Sequence, residues 1–202
     1  MQHETLIEEV VEVDLPTKYG DFKLKAFKQT TTGEEHLALV KGKWDINESV
    51  LVRVHSSCFT GDILGSLRCD CGDQLTSAMK MIDKVGKGVV LYVNQEGRGI
   101  GLFAKMQAYN LQDRGLDTLD ANLALNLPAD GRDYTIAASI LRDIGYDTIR
   151  LMTNNPDKVA QLEHHNIKVL QRVEHKAGIC SENKAYLRTK ARRMGHILSI
   201  LE

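Results

Sequence analysis

The chain has little cysteine, little proline, no excess of either charge and no long apolar run, and each shortage excludes something. Four cysteines in 202 residues are too few for a disulfide scaffold. Three of them crowd between positions 58 and 71, a grouping that argues for metal in a reducing compartment rather than cross-links. Three prolines, with no internal repeat and no low-complexity segment, announce no linker. A formal net charge of −1 gives no global pull on polyanions. Nucleic acid is therefore not an expected partner, and any anionic ligand needs a local cluster of cations and backbone donors. No apolar stretch is long enough to span a bilayer, and the opening MQHETLIEEV lacks a signal-peptide pattern. The expectation is a cytoplasmic protein with no membrane partner.

What is present is concentrated in residues 53–74, RVHSSCFTGDILGSLRCDCGDQ. Thiolates are the usual soft ligands for zinc, and a C-x10-C-x-C spacing brings three sulfurs within reach of one ion. Cys58, Cys69 and Cys71 read as three ligands with water as the fourth, the arrangement of a catalytic rather than a structural site. Two alternatives stand beside this: buried free thiols, and a closed structural site completed by His55 or by the distant Cys180. The C-x-C pair suits a turn with a helix starting just after it, because residues two apart do not share a helix face.

The rest of the chain, 43% hydrophobic and 26% charged, has an ordinary globular composition and enough length to bury a core. Segments 11–15, 22–28, 36–43 and 50–55 cluster or alternate in β-formers and are separated by turn signals such as Thr32-Gly33. Helices are expected at 73–85, 102–114 and 133–144, with strands at 88–93, 148–152 and 167–173. Leu75, Ala78, Met79, Ile82 and Val85 follow the helical period, and Gly86 stands where a cap belongs. This is an α/β (α+β) layout, a mixed sheet with antiparallel N-terminal strands covered by helices.

Three strand-to-helix junctions offer amides and positive dipole ends to anions. Residues 95–101, QEGRGIG, have a G-x-G-x-G spacing that is not a dinucleotide fingerprint. In 153–158, TNNPDK, Asn155 is a good helix cap and Pro156 a good first residue. In 128–133, PADGRD, a turn displays a carboxylate beside a guanidinium. Taken alone, each is equally an ordinary turn or cap. Tyr109 shares a helix face with Leu102 and Met106 and, in isolation, reads as a core tyrosine. The basic run 184–196 reads as a solvated helix face.

Taken together and in order, RVHSSCFTGDILGSLRCDCGDQL, QEGRGIGL, the ADGRD turn and LMTNNPDKV resemble GTP cyclohydrolase II, from about residue 15 to 198. The resemblance implies that fold and the hydrolysis of GTP to a diaminopyrimidinone ribosylamino phosphate, formate and pyrophosphate, opening riboflavin synthesis. It implies Zn2+ on Cys58, Cys69 and Cys71, Mg2+ with the triphosphate, and a homodimer. It implies a GTP site of Arg53, Val54, His55, Ser56, Ser57, Gln74, Glu96, Gly97, Arg98, Thr118, Thr153 and Lys158, with Glu96 on the guanine edge. Asp130 is implied as general base, Arg132 as a nucleophile at phosphorus, and Tyr109 as a participant in hydrolysis. A guanidinium stays protonated, which favours Arg132 as a charge stabiliser instead. Ser57 stands where the family usually carries an acidic residue. The expected organisation is a single domain over 1–202, without the fused dihydroxybutanone-phosphate synthase domain of many members.

Overall fold

The N-terminal β-formers fold as β1 (Ile7–Thr17), β2 (Gly20–Gln29), β3 (Glu35–Lys41) and β4 (Val50–Ser56). The structure, a computed structural model, describes residues 6–45 and 48–198. The first five positions of the stretch read for a leader lie outside those residues. With β5 (Gly88–Val93), β6 (Thr148–Met152) and β7 (Lys168–Val173) the strands make one sheet in the order β1-β2-β3-β5-β4-β6-β7. Neighbours from β1 to β5 run antiparallel, whereas β4 is parallel to both β5 and β6, and β6 to β7. The mixed sheet with an antiparallel N-terminal half is the expected one. No helix among the described residues is long and apolar enough to cross a membrane.

Strands buried on both faces read as continuous apolar runs, and β4 and β5 are buried almost throughout. Their side chains alternate. Val52, Val54, Val89 and Leu91 pack with Ile140 and Leu141 of α4 (Thr135–Asp143) and Leu162 of α5 (Pro156–His164). Leu51 and Val90 belong to a second cluster with Ala78, Met79 and Ile82 of α1 (Cys71–Val85). The sheet is thus covered by helices on both faces. The α1 stripe ends at Gly86, whose φ of 81° lets its N–H reach the Ile82 and Asp83 carbonyls.

Three sequence expectations change. Helix α1 starts at Cys71 itself, with Asp70 as its N-cap, so the C-x-C pair straddles the helix start rather than preceding it. A short helix, α3 (Thr118–Ala124), follows α2 (Leu102–Asp113); its signal is local, the Asp117 carboxylate accepting from the N–H groups of Leu119 and Asp120. The basic run forms α6 (Lys184–Arg193), but not as a merely solvated face, because Leu187 and Asn183 are fully buried.

Because β4 has β5 on one side and β6 on the other, the chain reverses its direction of travel across the sheet at β4. In such sheets a crevice opens outside the carboxyl ends of the parallel strands, where ligands bind. The segments after β4, β5 and β6 gather there.

Ile82, with no exposed surface, closes the α1 face. Replacing it with Ala is expected to lower stability by about 2–5 kcal/mol, measured as a shift of the urea midpoint at unchanged slope.

Candidate active site

Beyond β4 the chain makes one tight helical turn, Phe59–Ile63, and returns to α1. Asp62 fixes that turn. Its buried carboxylate accepts from the Cys58 N–H at 2.9 Å, the Tyr92 hydroxyl at 2.9 Å and His55 Nε2 at 3.0 Å. Burial lowers the His55 pKa, so a neutral ring donates to Asp62. Cys58 Sγ then lies 3.7 Å from Cys69 Sγ, and all three sulfurs fall within 4.8 Å of one another. Sulfurs at the corners of a zinc tetrahedron, with bonds of about 2.3 Å, stand about 3.8 Å apart. The cluster therefore fits zinc.

Two glycines make the approach possible. A Cβ on Gly61 would stand 2.9 Å from Cys69 Sγ and 3.2 Å from Cys58 Sγ, and one on Gly72 would overlap the Gly61 carbonyl. Among the described residues no histidine or carboxylate joins the sulfurs. His55 is turned to Asp62, and Cys180 Sγ lies 3.7 Å from the Leu67 carbonyl. The donor set among those residues is three thiols, the set that leaves one corner of a tetrahedron to water or substrate.

Hydrogen bonds from Cys69 and Cys71, then the nearby Lys105, hold Cys58 far below the ordinary thiol range. The same hydrogen bonds with Cys58 push Cys69 up to about 11 and raise Cys71 as well. A divalent cation held by these sulfurs would displace the protons they carry. Lys105 Nζ lies 3.1 Å from Cys58 Sγ and 2.9 Å from Glu96 Oε1. Burial opposes its charge, but those two anions keep its pKa raised.

The sulfurs form one wall of an open cleft, which seven lysines and arginines line against two carboxylates, Asp70 and Glu96. Arg53, His55, Ser56, Ser57, Gln74, Glu96, Gly97, Arg98, Tyr109, Thr118, Arg132, Thr153 and Lys158 all face it; Val54 and Asp130 do not. The Val54 carbonyl accepts from Lys158 Nζ at 2.7 Å. Burial lowers the pKa of that enclosed ammonium well below its usual value. Asp130 accepts from Arg132 Nε at 2.8 Å and also from its Nη2. Against the effect of burial, Arg132 holds Asp130 ionised below the usual range, and Asp130 raises Arg132 in return.

The Glu96 carboxylate is largely occupied. It accepts from the N–H groups of Phe59 at 2.6 Å and Gly97 at 2.7 Å, besides Lys105. Of a carboxylate's roughly four acceptor sites, one remains for a ligand. Gly97 and Arg98 both adopt left-handed φ, 62° and 63°. Ser57 Oγ accepts the Gln95 N–H at 3.1 Å and so braces this loop. Asn155 caps α5 with Pro156 as its first residue, as expected, and Thr153 Oγ1 accepts the Asn155 N–H. Tyr109 is no mere core residue: its ring lies 4.4 Å from the Arg68 guanidinium, and its hydroxyl is 3.5 Å from Thr60 Oγ1. Burial raises its pKa, so it is a protonated donor. Sequence reasoning missed Lys105, although its i, i+4 relation to Tyr109 put both on one face.

A family model described as GTP cyclohydrolase II matches residues 8–174. The chain belongs to the GTP cyclohydrolase II family. It is 54% identical to the riboflavin biosynthesis protein RibBA of Porphyromonas gingivalis, over 98% of this chain and 49% of that protein. Against the protein of the same name from Bacillus mycoides it is 52% identical, over 98% of this chain and 50% of the other. The chain thus spans about half the length of the curated relatives it matches. In fold it resembles RibBX from A. baumannii, a two-domain 3,4-dihydroxy-2-butanone 4-phosphate synthase, with a TM-score of 0.53 at 21% identity. That likeness covers 86% of this chain and 42% of the other. Helix α6 lies beyond the residues matched to the GTP cyclohydrolase II model.

Gly61→Ala tests the fit of the cluster. The variant is expected to keep its far-ultraviolet spectrum while binding zinc at least ~10-fold more weakly, measured by competition with a chromophoric chelator.

Proposed function

We propose that this chain hydrolyses GTP to 2,5-diamino-6-(5-phospho-ribosylamino)pyrimidin-4(3H)-one, formate and pyrophosphate, the first step of riboflavin biosynthesis. One observation carries the reading: in a member of this family, three sulfurs spaced for zinc open onto a cleft with seven cations and two carboxylates. Cys58, Cys69 and Cys71 would hold zinc, which would supply Lewis-acid activation of water toward guanine C8, a weak electrophile.

The chain's own groups do the rest. Tyr109, kept protonated by burial, donates a proton toward the imidazole nitrogen as the ring opens. Lys105 holds its charge beside Cys58 and offsets the negative charge of the sulfurs. Arg53, Arg98 and Lys158 meet the triphosphate, which enters with Mg2+ as part of the substrate. His55, Ser56, Ser57, Gln74, Gly97, Thr118 and Thr153 shape the nucleotide site, Val54 positions Lys158, and the remaining acceptor site of Glu96 takes the guanine edge. Arg132 stabilises charge at the α–β phosphoanhydride rather than attacking it, because a guanidinium locked on a carboxylate has no free lone pair. Asp130, with its pKa lowered, serves better to orient Arg132 than to accept a proton. The proposed assembly is a homodimer of single-domain chains, to be read from sedimentation.

With GTP, Zn2+ and Mg2+, purified protein is expected to release formate, pyrophosphate and pyrimidine product in equal amounts. Cys58→Ser, Cys69→Ser and Cys71→Ser should each lose metal and slow formate release more than ~100-fold; a zinc-loaded wild type that releases none defeats the reading. Rapid quenching of the wild type should trap no phosphoguanosine–protein adduct, whereas an adduct absent from Arg132→Lys would make Arg132 the nucleophile.

A further inference from the structure

The segments after β4, β5 and β6 supply three sides of the cleft, and the reaction proposed above leaves a fourth side idle. That side comes from residues 184–198, where Tyr186, Lys190, His196 and Leu198 face the cavity. One backbone hydrogen bond docks it, from the Ile197 N–H to the Asn154 carbonyl at 2.8 Å, and another, from the His196 N–H to the Lys190 carbonyl at 3.1 Å, folds the segment back on its own helix. Tyr186 and Lys190 are one helical turn apart on α6, so they lie on one face. The Lys190 ammonium stands 4.4 Å from the centroid of the Tyr186 ring, and the Arg98 guanidinium 5.7 Å from the same ring. Arg98 Nη1 donates to Met194 Sδ, while its buried Nη2 has no partner among the described residues.

Lys190 is not a solvated surface lysine. Its side chain is 12% exposed, and its ammonium lies 2.9 Å from Asp70 Oδ1. Asp70 is the residue between Cys69 and Cys71, and it also accepts from the Gln74 amide. An ammonium has three donors; Asp70 takes one. Burial opposes the Lys190 charge, but Asp70 outweighs it and keeps the pKa raised. His196, whose pKa burial brings down to about 4, adds no charge at neutral pH. On this wall the cation that faces the cleft is therefore Lys190, oriented by one carboxylate with donors to spare.

We propose that Lys190, seated on Tyr186, is a phosphate-binding residue of the cleft, so that α6 reads the polyphosphate of the nucleotide. The inference rests on the nucleotide reading, but its test does not need turnover. Binding of inorganic triphosphate, GTP and guanosine to the zinc-loaded full chain is measured by calorimetry. Lys190→Met is expected to weaken inorganic triphosphate and GTP by roughly tenfold or more, with guanosine within about twofold. KM for GTP should rise by the same factor while kcat moves less, and Lys190→Arg should restore most of the affinity. Arg188→Met removes a charge from an exposed position of the same helix and should bind like the wild type. Removing one partner of a buried pair can unfold a protein, so Tyr186→Leu, which keeps the ion pair, is the second variant; it should weaken triphosphate about threefold and spare guanosine.

Three results overturn the proposal: unchanged triphosphate affinity in folded Lys190→Met or folded Tyr186→Leu, equal losses for GTP and guanosine, or equal losses in Arg188→Met and Lys190→Met. A chain that binds triphosphate through Lys190 yet releases no formate would refute the reaction and leave this site standing.

Discussion

Two glycines pressed together are the constraint from which the cleft follows. Gly72, in the first turn of α1, leaves space for the Gly61 carbonyl, and Gly61 leaves space for the sulfurs of Cys58 and Cys69. Only that approach lets the turn after β4 and the start of α1 share three thiols. The sheet fixes both partners: β4 is buried on both faces, and α1 is anchored by Ala78, Met79 and Ile82. Asp62 then removes the remaining freedom, because its carboxylate gathers the Cys58 amide, Tyr92 and His55 at one buried point. Such a network is expensive to leave half-satisfied, which makes the turn stiff. The three sulfurs are thus held together by the fold of the chain itself.

The cations of the cleft divide by the partners they already have. Arg132, Lys105 and Lys190 each face a carboxylate, Asp130, Glu96 and Asp70 respectively. Those pairs hold geometry and keep the cations charged in spite of burial. Arg53, Arg98 and Lys158 have neutral acceptors instead: Gln74 and the Met152 carbonyl, the Met194 sulfur, and the Val54 carbonyl. Burying charge without a counter-charge is unfavourable, and Lys158 shows it in a strongly lowered pKa. A polyanion entering the cleft would relieve that penalty, which is why the proposed substrate, a polyphosphate, suits this arrangement of charge. Monoanionic or neutral ligands relieve less of it.

Where the sequence was legible, the signals were local. The α1 stripe and its Gly86 cap, the Asn155–Pro156 helix start and the apolar β4 and β5 need only a few adjacent residues to be read, and each stands as expected except that Val85, at the end of the stripe, is exposed. The C-x10-C-x-C spacing pointed to a cluster because three cysteines so close in a cysteine-poor chain need only a turn to meet, and their sulfurs do lie within 4.8 Å of one another. The failures are tertiary. A basic run looks the same whether it is solvated or folded over a cleft; Arg188 is exposed and Lys190 is not, though the two are neighbours on one helix. Helix α3 escaped because seven residues carry too little periodicity, and its Asp117 cap resembles any turn aspartate. The start of α1 was misplaced because nothing in C-D-C says that a metal ligand can also be the first residue of a helix.

The glycine-rich turn after β5 gains a different meaning from the fold. Read alone, QEGRGIG is a loop whose amides could cradle an anion. In the molecule its acid, Glu96, braces the metal end of the cleft instead. It takes the Phe59 amide from the metal turn and the Lys105 ammonium, which in turn reaches Cys58. Its arginine, held at a left-handed φ of 63°, is directed to Met194 and Tyr186 of the C-terminal segment. A non-glycine residue in that region is strained, and glycine on either side of Arg98 keeps the strain from spreading along the turn. The loop is thus a hinge pin between the cysteine cluster and the C-terminal wall of the cleft. Since one short turn fixes Glu96 on one side and Arg98 on the other, neither end can shift without disturbing the other. The span between the sulfurs and the Arg98 end of the cleft is then set by backbone rather than by side-chain choice.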